Sequence, residues 1–219
     1  MNIELIVFDW DGTLMDSEAR IVTCLQWAFR ELNYPEPTRE QARDVIGLGL
    51  DEAMQRLLPA GTAAVRAEIA QQYRRYFLGD TQIPSELFPD AREILDWMTA
   101  QGYRLAVATG KSRVGLNKAL TETNLHGVFH ATRTADETFS KPHPQMLLEL
   151  MDELGARADE TLMIGDTEYD LQMANQAGVR SLAVCHGVHT PERLLACKPL
   201  ACLDSLWAIR EWLDVHGCR

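Results

Sequence analysis

Lysine is scarce in this chain, with four among 219 residues: Lys111, Lys118, Lys141 and Lys198. Acids outnumber bases 32 to 21, a formal charge of -11. Such a chain lacks the basic footprint that non-specific nucleic-acid binding needs. Long apolar runs are also missing. No stretch approaches the roughly 20 residues that cross a bilayer, so no membrane span is expected. Glycine and proline are present at ordinary levels, 14 and 9, which excludes a fibrous or low-complexity chain. The opening residues MNIELIVFDWDGT lack a basic segment, and their apolar run soon meets carboxylates. They read as a strand rather than a signal peptide. The five cysteines, Cys24, Cys185, Cys197, Cys202 and Cys218, show no metal-ligand spacing. Reduced thiols in a cytoplasmic protein are the expectation.

What is present is a core. Apolar side chains make up 46% of the chain, too many for disorder. A chain of this length buries about 70% of its unfolded surface without staples. Ile3 to Phe8 reads as a buried strand. From Ala19 to Phe77 the signals are helical. Ile21, Leu25, Ala28, Phe29 and Leu32 recur at helical spacing, and further helices are expected over 39–46, 51–58 and 62–77. After Phe88 short apolar runs alternate with helical segments. Strands are expected over 104–108, 128–131, 161–164 and 179–184. Helices are expected over 89–100, 112–123, 143–154, 168–177 and 204–215, with a short one starting at Thr190-Pro191-Glu192.

That alternation predicts an α/β fold, a Rossmann-like parallel sheet flanked by helices. The helical block interrupts it after the first strand and reads as an inserted domain. Residues 1–16 and 89–219 then form the core, and 17–88 a helical cap joined by linkers near Leu14–Ser17 and Gln82–Phe88. The insert carries ten acids, eight arginines and no lysine.

Three short motifs fall where strands end, and a fourth precedes a helix. Asp9-Trp10-Asp11-Gly12-Thr13 follows the first strand, at the edge where parallel sheets bind ligands. Two acids crowded there repel each other and need a cation or a proton, although such a pair can also cap a helix. Gly165-Asp166-Thr167-Glu168-Tyr169-Asp170 follows a later strand. Asp170 falls in a helix's first turn, where a carboxylate is favourable whatever else it does. Asp9, Asp11 and Asp166 together offer hard oxygen ligands with no His or Cys pattern nearby, which points to Mg²⁺. Thr109-Gly110-Lys111-Ser112 opens a helix after a strand, a place where backbone N–H groups cradle an oxyanion. It lacks the upstream glycine of a nucleotide-binding P-loop, so an NTPase is excluded. Ser140-Lys141-Pro142-His143-Pro144 pins one of the few lysines beside a proline, either for a role or as a surface lysine in a loop.

Taken in order, these motifs resemble those of the haloacid dehalogenase-like hydrolases, over essentially the whole chain. The likeness is strongest to the capped phosphatase branch that includes phosphoglycolate phosphatases. It implies that Asp9 is a nucleophile forming an aspartyl phosphate, and that Asp11 is a general acid and base. It implies that Thr109, Gly110 and Lys141 hold phosphate oxygens. Mg²⁺ would be held by the Asp9 carboxylate, the Asp11 backbone carbonyl and Asp166, with Asp170 behind them. Asp11 argues against dehalogenation, because a halide needs no proton. Trp10 departs from the usual Leu or Met at its position and is expected to pack away from the nucleophile. In the cap, Arg43, Gly47 and Gly49 are the candidates for substrate selectivity, although the glycines can simply link helices and Arg43 can simply face water.

The expected partner is a small phosphorylated metabolite, phosphoglycolate among the possibilities, and the expected assembly is a monomer or homodimer. Two other readings stand beside the phosphatase. A sugar-phosphate mutase shares these core residues, though such enzymes usually show DGV where this chain has DGT. A phosphate-ester binding module would have kept the fold and lost turnover.

Overall fold

The computed structural model describes residues 1–79 and 81–217. The first strand, β1 (Leu5–Phe8), is buried along its whole length. A two-residue strand, β2 (Met15–Asp16), leads into four helices: α1 (Glu18–Glu31), α2 (Arg39–Asp44), α3 (Leu50–Leu57) and α4 (Ala63–Leu78). The chain returns through β3 (Glu86–Leu87), which pairs antiparallel with β2. Thus the expected linkers zip together where the chain leaves the core and re-enters it. Two residues per strand are too few to show a period, so this ribbon has no local sequence signal.

The remainder alternates α5 (Ala91–Ala100), β4 (Arg104–Thr109), α6 (Arg113–Glu122), β5 (Ala131–Thr134), α7 (Gln145–Leu154), β6 (Thr161–Gly165), α8 (Glu168–Gln176), β7 (Arg180–Val184), α9 (Pro191–Ala196), β8 (Cys202–Leu203) and α10 (Leu206–His216). Six strands form one parallel sheet in the order β5-β4-β1-β6-β7-β8. The fold is thus the expected α/β parallel sheet with a helical cap inserted after its first strand.

Both faces of the sheet are covered, which explains why β1, β4, β6 and β7 read as mostly apolar runs. Ile6 and Phe8 enter the core beneath α5 and α10, while Leu5 and Val7 enter the core beneath α7 and α8. Trp10 is fully buried in the first of these cores, with Phe129 edge-on at 6.2 Å. The cap has its own core of Ile21, Leu25, Phe29, Ile46 and Ile69, among others. Tyr169 and Val188 of the sheet domain join that cluster, so the cap packs directly on the sheet's carboxyl edge. No helix among the described residues is long and apolar enough to cross a membrane.

Two expectations are corrected. The strand expected over 128–131 lies at Ala131–Thr134. Val128 instead closes a turn onto the Leu125 carbonyl, and Phe129 packs sideways against the core. The thiols are not all free: Cys185 and Cys202 form a disulfide. The cause is parallel pairing of β7 with β8, which brings their Cα atoms to 6.3 Å although 17 residues separate them. Cys24 and Cys197 are free, and Cys218 lies outside the described residues.

Candidate active site

The sheet topology assembles the site. β1 lies between β4 and β6, with Phe8 level with Val107 on one side and Ile164 on the other. The residues just beyond these strand ends therefore converge at one edge. Asp9 and Asp166 are fully buried there, and Thr109 ends β4 beside them. Gly12 makes the turn after Asp11 with φ +85, a conformation that L side chains rarely adopt. A Cβ on Gly12 would lie 2.2 Å from Asp166 Oδ2, so the loop sits directly on that carboxylate.

Lys141 is the hub. Its side chain is fully buried, and its Nζ lies 2.6 Å from Asp9 Oδ1 and 2.6 Å from Asp170 Oδ1. Asp170 is fixed by the start of α8, where the Thr167 N–H and hydroxyl both donate to its Oδ2. The Thr167 hydroxyl also accepts from the Asp170 N–H, closing a capping box. Asp166 accepts the Thr13 hydroxyl on Oδ1 at 2.8 Å and the Val188 N–H on Oδ2 at 2.9 Å. Burial pushes the Asp9 carboxyl well above its usual range, and the charges of Asp170 and Asp166 push it further, against the pull of Lys141. Burial, then the charge of Asp170, raises the Asp166 carboxyl to about 7. Burial opposes the Lys141 charge, but Asp170 and Asp9 outweigh it and hold the ammonium more firmly than in water.

These facts bear on a cation. Asp9, Asp166 and Asp170 each offer an oxygen within 4.8 Å of the others, all buried. One buried ammonium faces three buried carboxyl groups, so their full ionisation leaves two negative charges uncompensated. Asp9 Oδ2 is buried without a hydrogen-bond partner among the described residues. An all-oxygen donor set, a deficit of two charges and an orphaned carboxylate oxygen fit a hard divalent cation.

Asp11 is turned elsewhere. Its Oδ1 accepts the Ser17 hydroxyl at 2.6 Å and lies 2.9 Å from Lys111 Nζ. Asp11, Gly110 and Lys111 line a cavity of about 270 Å³ between the core and the cap. The Thr109 hydroxyl accepts the Lys111 N–H, which bends the chain over the strand end. Gly110 has no room for a side chain: a Cβ there would lie 2.4 Å from the Leu48 carbonyl oxygen of the cap.

The three cap candidates occupy different places. Gly47 and Gly49 line the cavity. The Gly49 N–H also donates to the Ser140 hydroxyl at 2.7 Å, tying the cap loop to the residue before Lys141. Arg43 points to the core, donating to the Val188 carbonyl and pairing with Glu18. Lys111, Ser17 and Thr13 were present in the motifs but were given no role from sequence, since nothing local tells which carboxylate each meets. The Val188 N–H had no sequence signal, because any residue carries one. A second contact zone holds the cap to the sheet. Arg193 pairs with Asp44 at 2.6 Å and with Glu168 at 2.9 Å, and Tyr169 donates its hydroxyl to the Asp44 carbonyl.

Comparison with known proteins identifies the chain's relatives. The family model described as haloacid dehalogenase-like hydrolase matches residues 6–184. The chain is 38% identical over 206 residues to "Probable phosphatase IndB" of Dickeya dadantii, covering 92% of this chain and 89% of that one. It is 34% identical over 208 residues to phosphoglycolate phosphatase of Aliivibrio fischeri, covering 90% and 91%. Among solved structures, a predicted phosphoglycolate phosphatase of Haemophilus somnus superposes with a TM-score of 0.88 at 25% identity, covering 97% and 98% of the two chains.

Proposed function

This chain belongs to the haloacid dehalogenase-like hydrolases, and we propose that it is a Mg²⁺-dependent phosphatase acting on a small phosphomonoester through Asp9. The observation that carries the reading is the division of labour between two acids. Asp9 is buried, with one oxygen on Lys141 and the other without a hydrogen-bond partner among the described residues, whereas Asp11 faces the cavity. Paired carboxylates in different environments separate a nucleophile from a proton carrier.

In the first half-reaction an Asp9 oxygen attacks phosphorus in line, and the bond from phosphorus to the ester oxygen breaks. Asp11 gives its proton to that oxygen, so the product leaves as a neutral alcohol. In the second, water attacks the same phosphorus and passes a proton to Asp11. The bond from phosphorus to Asp9 breaks, which releases inorganic phosphate and restores both carboxyl groups. Ser17 and Lys111 orient the Asp11 carboxyl throughout. Thr109, Gly110 and Lys141 hold the non-bridging oxygens, which gather charge during transfer.

The Asp9 and Asp166 carboxylates and the Asp11 carbonyl would hold the metal. Asp170 serves behind them, since its two oxygens are taken by Lys141 and Thr167. Bound Mg²⁺ supplies charge neutralisation, which lets an anionic nucleophile meet an anionic ester. Phosphoglycolate, carried in the name of the Aliivibrio relative, is one candidate ester. The test is phosphate release from a panel of monoesters with Mg²⁺, repeated with EDTA and with Asp9→Asn. Activity should vanish in both controls. Full activity of Asp9→Asn would show that Asp9 is not the nucleophile.

A further inference from the structure

The cavity above Asp11 describes the alcohol that leaves. Its volume of about 270 Å³ leaves room for a leaving group larger than two carbons. The phosphate end belongs at Asp9, so this space belongs to the leaving group. A two-carbon acid such as glycolate would leave much of it to water.

The cap side of the wall is largely apolar, and the core side is mostly polar. The cap contributes Ile21, Leu25, Val45, Leu48, Tyr73 and Phe77. Tyr73 and Phe77 stack at 5.4 Å with their planes 21° apart. Lys111 Nζ lies 4.5 Å from the Phe77 ring centroid. One ammonium thus bridges this aromatic wall and the Asp11 carboxylate. The charges around the space do not suit an anion. Asp51, Glu52 and Asp136 line it as exposed carboxylates. Its cations are Lys111, already paired with Asp11, and Arg74, which is exposed. A carboxylate on the leaving group would lose water against apolar walls and face these acids.

We propose that the preferred substrate is the phosphate monoester of an uncharged, largely apolar alcohol larger than glycolate, with an aromatic or branched body laid against Phe77 and Leu48. This rests on the phosphatase reading above and specifies its substrate class.

Three esters of unactivated primary alcohols provide the test: ethyl phosphate, phenethyl phosphate and phosphoglycolate. Each is assayed with Mg²⁺ for released inorganic phosphate. The phenethyl ester should exceed both others in kcat/KM by about 10- to 100-fold, the discrimination expected for filling an apolar pocket. In Phe77→Ala the phenethyl-to-ethyl ratio should fall about tenfold. This ratio is taken within one preparation, so partial misfolding does not alter it. If phosphoglycolate matches or exceeds the phenethyl ester, the substrate class is wrong while the phosphatase reading stands. If wild-type ratios hold in Phe77→Ala, the proposed wall is wrong. If none of the three esters is hydrolysed, both readings fall.

Discussion

Replacing Lys141 by methionine keeps an unbranched side chain of similar reach and removes its charge. In the native site this charge sits 2.6 Å from oxygens of both Asp9 and Asp170, with full burial on all sides. The variant leaves the Asp9, Asp166 and Asp170 carboxylates packed together with no buried cation among them. Breaking a buried ion pair by removing one partner costs about 3–5 kcal/mol. For a chain of this size each kcal/mol moves Tm by about 2–4 °C, so melting in EDTA should fall by roughly 6–20 °C. Mg²⁺ should then raise the variant's Tm by more than it raises that of the wild type, because the variant cluster carries the larger negative deficit. Ligand at about 100 times its Kd contributes about 2.7 kcal/mol, enough to read by calorimetry. Phosphate release in saturating Mg²⁺ should drop about 100- to 1000-fold, as for other lost charge-stabilising donors. The decisive assay is calorimetry of both proteins across a Mg²⁺ titration that starts from EDTA. A variant melting within about 2 °C of the wild type in EDTA would refute the electrostatic argument.

Other consequences can be checked as directly. Gly110→Ala should disturb cap closure more than folding, because its Cβ would meet the Leu48 carbonyl across the domain boundary at 2.4 Å. We expect kcat/KM to fall about tenfold or more with a small change in Tm, since a misplacement of about 1 Å can be this costly. Arg193→Ala removes the pairs to Asp44 and Glu168. These pairs are partly exposed, so stability should change by no more than about 1 kcal/mol, while proteolysis at the cap linkers quickens. Lys111→Met should lower kcat by roughly tenfold or more, because Asp11 loses an orienting cation at 2.9 Å. Burial pushes the Cys24 thiol up to about 11. Iodoacetamide at pH 8 should leave Cys24 unmodified in the native protein, with labelling rising as the pH approaches that value or the chain unfolds.

The sheet was legible because each of its longer strands is buried on both faces, and such strands appear as short apolar runs between helices. The helical insert was legible because apolar residues recur at helical spacing from Ile21 to Phe29. The strand at Ala131–Thr134 was misplaced because Val128 and Phe129 are apolar for another reason: they close a turn and fill the core beside Trp10. The two-residue strands β2, β3 and β8 carry no pattern and exist only through their partners. With β8 unseen, nothing in the spacing of the cysteines could pair Cys185 with Cys202.

By itself the sequence determined which residues stand at strand ends, because the alternation of buried strand and helix is local. It therefore placed Asp9, Asp11, Thr109, Asp166 and Asp170 at or just beyond strand ends, and the family resemblance joined Lys141 to them as one chemical set. Only the tertiary structure decided who pairs with whom. It places Lys141 between Asp9 and Asp170, across separations of more than a hundred residues in one direction and about thirty in the other. It directs Asp11 to Lys111 and Ser17, and Arg43 to a backbone carbonyl. It also shapes the apolar chamber, since Phe77 meets Lys111 only when the cap lies on the sheet edge. The physical reason is the range of each interaction. Strand and helix signals act over a few residues, whereas a buried charge is settled by neighbours that only the folded chain supplies.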